Sequence, residues 1–181
     1  IMNLKTFIQG IIKVGVSYEK VQNDWLAETL KLIPSGLKLL DVGAGELRNK
    51  RYCSHLDYTS QDICEYEGTG NGEGLQTSAW NVDEIDIICD LINVPLPDKS
   101  FDVILCTEVF EHIPDPVLAM KEFNRLLKDG GRLIITAPFC SLTHFAPAHY
   151  STGFSRYYYE LHLKEKGFDS IKVEPNGNYF E

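Results

Sequence analysis

The chain has 181 residues, of which 44% are hydrophobic and 24% are charged, and this composition suits one globular domain with a single core. Acidic residues outnumber basic ones by 26 to 17, a net charge of −9, so nucleic acid is not expected as the main partner, because an acidic surface repels phosphate backbones. No apolar run of about 18 residues occurs, so no membrane partner is expected.

Residues 1–36 precede the first predicted strand and carry a helical pattern around Trp25, Leu26 and Leu30, which predicts a helical extension or lid. Residues 37–181 are predicted to form the main domain, so that the chain is one domain overall. Five short apolar or β-branched runs there, bounded by Gly, Pro, Asp or Asn, read as strands buried on both faces. They are LKLLDV (37–42), LDYTSQDI (56–63), IDIICD (85–90), FDVILCT (101–107) and GRLIITAP (131–138).

Two helices are predicted after the fourth strand. In the first, Asp115 is the N-cap, Pro116 lies in the first turn, and Gly130-Gly131 ends the helix. The second lies in SRYYYELHLKEKGF (155–168), and SIKVEP (170–175) is predicted as a closing strand. Alternation of strands and helices predicts a Rossmann-like α/β three-layer sandwich with a mostly parallel, doubly wound sheet.

Two long connections interrupt the alternation. Residues 66–80 are glycine-rich and are predicted to form a flexible loop, whereas 139–155 carry two histidines and several aromatics. Long loops in compact domains are often functional, so the second connection is a candidate part of a site.

The five cysteines are odd in number and show no Cys-x-x-Cys spacing. This pattern favours neither a disulfide framework nor a zinc site, and it suits a reducing compartment. The apolar stretch FIQGIIKVGV (7–16) lacks the charged start and the cleavage site of a signal peptide. We therefore expect a cytoplasmic protein; the sequence sets no oligomeric state.

In a doubly wound sheet, ligands bind outside the carboxyl ends of the strands. Acidic and small residues stand at those ends: Asp41 with Gly43-Ala44-Gly45, then Asp62, then Asp90-Leu91, then Thr107-Glu108. Aspartate is a poor strand residue, so strand propensity does not explain it. The glycine turn alone could be only a tight bend, but Asp62 at the end of the next strand is suited to bind the hydroxyls of a ribose.

The turn departs from the dinucleotide pattern G-x-G-x-x-G, because Arg48 stands at the third glycine. Glu46 lies at an expected helix N-terminus, where a carboxylate would repel a pyrophosphate. A ligand with an ammonium group, a sulfonium and no phosphate suits these acids better. These features favour S-adenosyl-L-methionine over a nicotinamide dinucleotide.

Three segments, LLDVGAG (39–45), CDLINVPLPDKSFDVILCTEVFEHIPDP (89–116) and LLKDGGRLIITAP (126–138), resemble the class I S-adenosylmethionine-dependent methyltransferases. The likeness is to the small-molecule group with an E-x-x-E-H-x-x-D segment after strand four, and it runs from about residue 37 to about residue 173. Two departures stand out: the 66–80 loop replaces a usual helix, and the family's last strand is either missing or lies beyond residue 181.

The resemblance implies cofactor contacts by ten residues. Asp41, Gly43, Ala44 and Gly45 would line the methionine end; Asp62 and Ile63 would contact the ribose and adenine; Asp90 and Leu91 would bind the adenine edge; Thr107 and Glu108 would lie beneath the sulfonium. The implied activity is methyl transfer to an oxygen, carbon or nitrogen of a small-molecule acceptor by in-line displacement.

A general base is needed only if the acceptor must lose a proton. The candidates are His112, His144 and His149, and Tyr150 and Arg156 join them as candidate substrate contacts. No metal site is expected, because two loop histidines have no third ligand at a suitable spacing. The tetrad NPPY of amide- and base-nitrogen methyltransferases is absent. The alternative is a catalytically silent domain that binds the cofactor and serves as an interaction or regulatory module, and a nicotinamide-dependent dehydrogenase is disfavoured.

Overall fold

The computed structural model describes residues 19–176. Five strands form one sheet in the order β3-β2-β1-β4-β5, and every neighbouring pair is parallel. The strands are β1 Lys38–Val42, β2 Asp57–Asp62, β3 Ile87–Ile88, β4 Phe101–Thr107 and β5 Leu127–Thr136. The predicted α/β class with a parallel Rossmann-like sheet is confirmed.

Successive residues of the central strands point to opposite faces, and both faces are covered. Leu40 and Ile104 pack with α2 (Pro116–Leu126) and α3 (Arg156–Glu165) on one face. Leu39 packs with Leu30 of α1 (residues 19–31) on the other. This burial on both sides explains why β1 and β4, the central strands, are rich in apolar residues. No helix among residues 19–176 is both long and apolar enough to cross a membrane.

Only the second half of the predicted N-terminal extension lies within the described residues. Residues 1–18 lie outside the described residues, and α1 packs on the sheet through the buried side chains of Leu26 and Leu30. The lid function and the division of the chain at residue 36 stay predictions.

The helix α2 begins as predicted. The Asp115 carboxylate accepts hydrogen bonds from the amides of Val117 and Leu118, at 3.0 and 3.2 Å, and Pro116 occupies the first turn. The predicted end is wrong. The chain becomes extended at Leu127 and pairs with Phe101, so Gly130-Gly131 lies inside β5 near a register shift.

The predicted closing strand, 170–175, is also wrong, since these residues adopt no regular structure. The predicted third strand shortens to Ile87–Ile88, because only Gln61 and Asp62 of β2 pair with it. After β1 no α-helix forms, only a 3₁₀ turn at Lys50–Tyr52, so Glu46 does not lie at a helix N-terminus.

Candidate functional site

The carboxyl ends of β1 and β2 are joined by a hydrogen bond. The Gly45 amide donates to Asp62 Oδ2 at 2.8 Å, and the Cys64 amide donates to Oδ1 at 2.8 Å. Gly43 and Gly45 both have left-handed backbone angles, with φ of 67° and 51°. Each carboxylate oxygen keeps a further lone pair, so Asp62 can order the turn and still accept from a ligand hydroxyl.

Asp41 lies beneath this turn and is fully buried. Its Oδ2 accepts from the Tyr58 hydroxyl at 2.8 Å, and the Asn49 amide lies 3.4 Å away. Burial raises the pKa of Asp41 to about 7, and these two donors oppose the shift. Asn49 also donates to Thr107 Oγ1 at 2.9 Å, so one side chain links the ends of β1 and β4.

The predicted adenine contacts lie around the ends of β2 and β3. Ile63 is 44% exposed, which leaves an apolar surface free for a flat ring. Leu91 is buried, and the Asp90 carboxylate is exposed and accepts from the Ile92 amide at 3.1 Å. The Cys89 amide donates to the Asp62 carbonyl at 3.1 Å, so β3 holds this region beside β2.

Glu108 ends β4 with a left-handed φ of 53°. Its Oε1 accepts from Gln22 Nε2 of α1 at 2.7 Å, and the same amide lies 3.2 Å from Thr136 Oγ1. Burial, followed by the neighbouring Glu111 charge, raises the pKa of Glu108 to about 7. The N-terminal helix therefore contributes to the site directly.

The three candidate histidines meet beyond the end of β4. His112 ends the 3₁₀ turn Phe110–His112, and His144 and His149 come from the 139–155 connection. One nitrogen from each ring lies within 4.8 Å of the others. Burial lowers the pKa of His112 and of His149, whereas the nearby Glu111 carboxylate raises the pKa of His144.

The two long connections cover this edge of the sheet together. Tyr66 and Trp80 of the glycine-rich loop form a cluster with Phe145, with ring centroids 4.6 to 5.4 Å apart. Residues 66–80 thus form a loop, as predicted, but contacts with the 139–155 connection hold it in place. The Trp80 ring lies against Gly45: a Cβ built there would be 3.0 Å from Trp80 Cζ3.

Two predicted substrate residues stand apart from the histidine cluster. The Tyr150 side chain is 58% exposed, although its amide donates to the Glu111 carbonyl at 2.8 Å. The Arg156 guanidinium is paired with Glu160 at 2.6 Å on the exposed side of α3. Among residues 19–176 Arg156 makes no hydrogen bond to the cluster, so its role stays a prediction.

Sequence reasoning missed four residues that complete the site: Gln22, Asn49, Trp80 and Glu111. Glu111 carried a signal, since it belongs to the E-x-x-E-H segment, and Trp80 is an isolated aromatic in a polar loop. Gln22 and Asn49 carried none, because only the packing of α1 and the turn after β1 brings them to the strand ends.

The sequence matches known proteins over the same region. The profile of the family described as "Methyltransferase domain" matches residues 40–135, more than half of the chain. Cycloartenol-C-24-methyltransferase 1 of Oryza sativa subsp. japonica is 33% identical over 132 residues, which cover 71% of this chain and 38% of that protein. Ubiquinone biosynthesis O-methyltransferase of Xylella fastidiosa (strain M23) is 30% identical over 123 residues, 64% of this chain and 47% of that protein. The chain therefore spans less than half the length of these two relatives.

Solved structures share the fold. Phosphoethanolamine N-methyltransferase 2 of Haemonchus contortus, solved in complex with S-adenosyl-L-methionine, matches with a TM-score of 0.62 at 19% identity, over 88% of this chain and 42% of that chain. YcgJ protein of Bacillus subtilis matches with a TM-score of 0.60 at 16% identity, over 80% of this chain and 68% of that chain. At these identities the likeness concerns the fold alone.

Proposed function

Because this chain belongs to the class I S-adenosylmethionine-dependent methyltransferases, we propose that it transfers a methyl group from S-adenosyl-L-methionine to a small-molecule acceptor. The sulfonium supplies an already activated methyl group, so the protein's main task is to align donor and acceptor for in-line displacement. Positioning of this kind can contribute about 7–11 kcal/mol.

The observation that carries the proposal is the hydrogen bond from Gly45 to Asp62, which sets a charged acceptor beside a glycine turn at the ends of adjacent parallel strands. Asp62 would hold the ribose hydroxyls, and Ile63, Asp90 and Leu91 would contact the adenine. Gly43 and Gly45 leave the main chain open toward the methionine end.

The residues present fit this cofactor. A Cβ at Gly45 would lie 3.0 Å from Trp80 Cζ3, so glycine keeps open the space between the turn and the Trp80 ring. Asp41 and Glu108 add acidic groups on the side where a positively charged sulfonium and ammonium would lie. Glu46 pairs with Arg48 at 2.9 Å and adds no phosphate-binding feature.

The acceptor would approach from the side of Thr107, Glu108 and the three histidines. The relatives named above act, by their names, at a sterol carbon, at an oxygen in ubiquinone biosynthesis and at the nitrogen of phosphoethanolamine. We therefore keep oxygen, carbon and nitrogen acceptors open. A reducing, cytoplasmic location is part of the proposal and is supported by five free cysteines.

Three measurements test the proposal. Titration calorimetry with S-adenosylhomocysteine should show one site, and NAD should give no stabilisation in a parallel thermal-shift assay. Turnover of methyl-labelled donor against a metabolite mixture should then yield a labelled product. Binding without turnover would support the silent regulatory module instead, and stabilisation by NAD alone would overturn both.

A further inference from the structure

We propose that His112, His144 and His149, together with Glu111, bind a divalent transition-metal ion at the acceptor side of the site. This goes beyond the proposed function, since methyl transfer from a sulfonium does not itself require a metal. The sequence alone predicted no metal site, because it offered only two histidines in one loop. The fold supplies the third at the end of β4.

The geometry suits one ion. One nitrogen from each ring lies within 4.8 Å of the others. The ring centroid of His144 lies 4.7 Å from that of His112 and 4.8 Å from that of His149. Ligands at about 2.1 Å from a tetrahedral ion lie about 3.4 Å apart. The nitrogens lie up to 4.8 Å apart, so side-chain rotations are needed to bring all three within reach of one ion.

Main-chain carbonyls fix the orientation of two of the rings. His112 Nδ1 lies 2.6 Å from the Ala148 carbonyl oxygen, and His144 Nδ1 lies 2.8 Å from the Leu142 carbonyl oxygen. A carbonyl only accepts, so each Nδ1 carries a proton, and in the neutral form of each ring the lone pair of Nε2 is free for the cluster. Metal-binding histidines are oriented by contacts of this kind.

Glu111 is the strongest indication. Its side chain is fully buried, and neither carboxylate oxygen has a hydrogen-bond donor among residues 19–176. Its Oε1 lies 3.7 Å from Nε2 of both His112 and His144. A buried carboxylate without a partner is costly, and a cation between it and the rings would remove that cost.

A proton on His144 is the competing explanation, because it would give Glu111 an ion-pair partner. Protonation of His144 would not provide a partner for His112 Nε2 or for either nitrogen of His149, and none of these three atoms has a hydrogen-bond partner in the described part of the chain. A metal ion would give one nitrogen of each of the three rings and the Glu111 carboxylate a partner at the same time. The donor set of three imidazoles and one carboxylate suits ions such as Zn²⁺, and not Mg²⁺ or Ca²⁺, which prefer oxygen ligands.

The test is calorimetric titration of the chelator-treated full chain with ZnCl₂, followed by the visible spectrum with Co²⁺. One equivalent of Zn²⁺ should bind, and Co²⁺ should give the intense bands of a four-coordinate site. His144→Ala, His149→Ala and Glu111→Gln should each weaken Zn²⁺ binding at least about tenfold. His162→Ala, a change on exposed α3, should leave it unaltered.

His149→Ala is the most informative variant, since its ring makes no hydrogen bond in the described structure and its loss should cost little stability. Retained thermal unfolding with lost Zn²⁺ binding would support the site. Absence of Zn²⁺ binding, or binding that survives both His144→Ala and His149→Ala, would overturn it. S-adenosylhomocysteine affinity, measured on the same metal-free samples, separates failure of the metal site from failure of the proposed function.

Discussion

Val109 packs directly against the bare Cα of Gly43: a Cβ at that position would lie 2.5 Å from Val109 Cγ2 and 2.9 Å from Cγ1. Val109, which follows Glu108 after β4, therefore requires glycine at position 43, directly after β1. The turn needs glycine for this contact as well as for its φ of 67°.

Gly43→Ala should lower the free energy of unfolding by about 2–5 kcal/mol, about 1–2 from the left-handed backbone and about 1–3 from overpacking. Urea unfolding measures the change. Gly36→Ala is the control, because Gly36 has a similar φ of 80° but no atom within 4 Å of a Cβ. Adding Val109→Ala to Gly43→Ala should recover part of the loss. Equal losses at positions 36 and 43 would mean that the contact with Val109 is unimportant.

Asp62→Ala should weaken S-adenosylhomocysteine binding about tenfold or more, because a hydrogen bond to a charged acceptor contributes about 1.5–3 kcal/mol. Calorimetry measures the affinity, and thermal unfolding checks that the domain remains folded. Asp57→Ala, at the other end of β2 and exposed, should leave the affinity unchanged. An Asp62→Ala protein with wild-type affinity would refute the ribose assignment.

Stability should fall as pH rises toward neutrality because of Asp41. The folded protein binds a proton at this carboxyl up to a pKa of about 7, whereas the ordinary value is 3.8. The stabilisation is complete below pH 3.8, is lost as pH rises through about 7, and amounts to roughly 4 kcal/mol.

Asp41→Asn should remove this contribution. Urea unfolding of both proteins at pH 5 and at pH 8 gives the comparison, and the Glu108 contribution cancels because both proteins retain it. The wild type should lose more stability between the two pH values than the variant does. Parallel pH profiles would show that Asp41 is ionised in the folded protein.

Arg125 of α2 forms hydrogen bonds with the segment after β3 that contains Val94 and Leu96. Its guanidinium donates to Glu122 at 2.6 and 2.9 Å, to the Leu96 carbonyl at 2.8 Å and to the Val94 carbonyl at 3.0 Å. Arg125→Met should cost about 2–4 kcal/mol, because the nearly buried Glu122 carboxylate loses its cationic partner and keeps the hydrogen bond from the Val94 amide.

Arg156→Met is the matched control in unfolding experiments. It breaks the exposed ion pair with Glu160 and should leave the free energy of unfolding nearly unchanged. Similar losses in the two variants would contradict a special role for Arg125.

The sheet was predictable because both of its faces are covered, so the central strands β1 and β4 are rich in buried apolar residues. The strand-end acids could be found for the same reason: aspartate in such a run needs another explanation. The end of α2 could not be predicted, because Gly130-Gly131 suits either the end of a helix or an irregular strand. The pairing of Leu127 with Phe101 is what makes this segment part of β5. The proximity of His112 to His144 and His149 could not be predicted either, because it depends on how a long connection folds back over the strand ends.

The interlocked connections bear on how fast a ligand can come and go. The amides of Asn71 and Leu75 donate to the carbonyls of Ala146 and Thr143, and the Phe145 amide donates back to Leu75. Each segment supplies the other's hydrogen-bond partners, so neither can lift alone without losing them. Because Trp80 lies over Gly45 as part of this unit, we expect the glycine turn to be uncovered when the two segments open together. Residence time at the turn should therefore follow the opening rate of the joined segments, which amide hydrogen exchange at Leu75 and Phe145 would report.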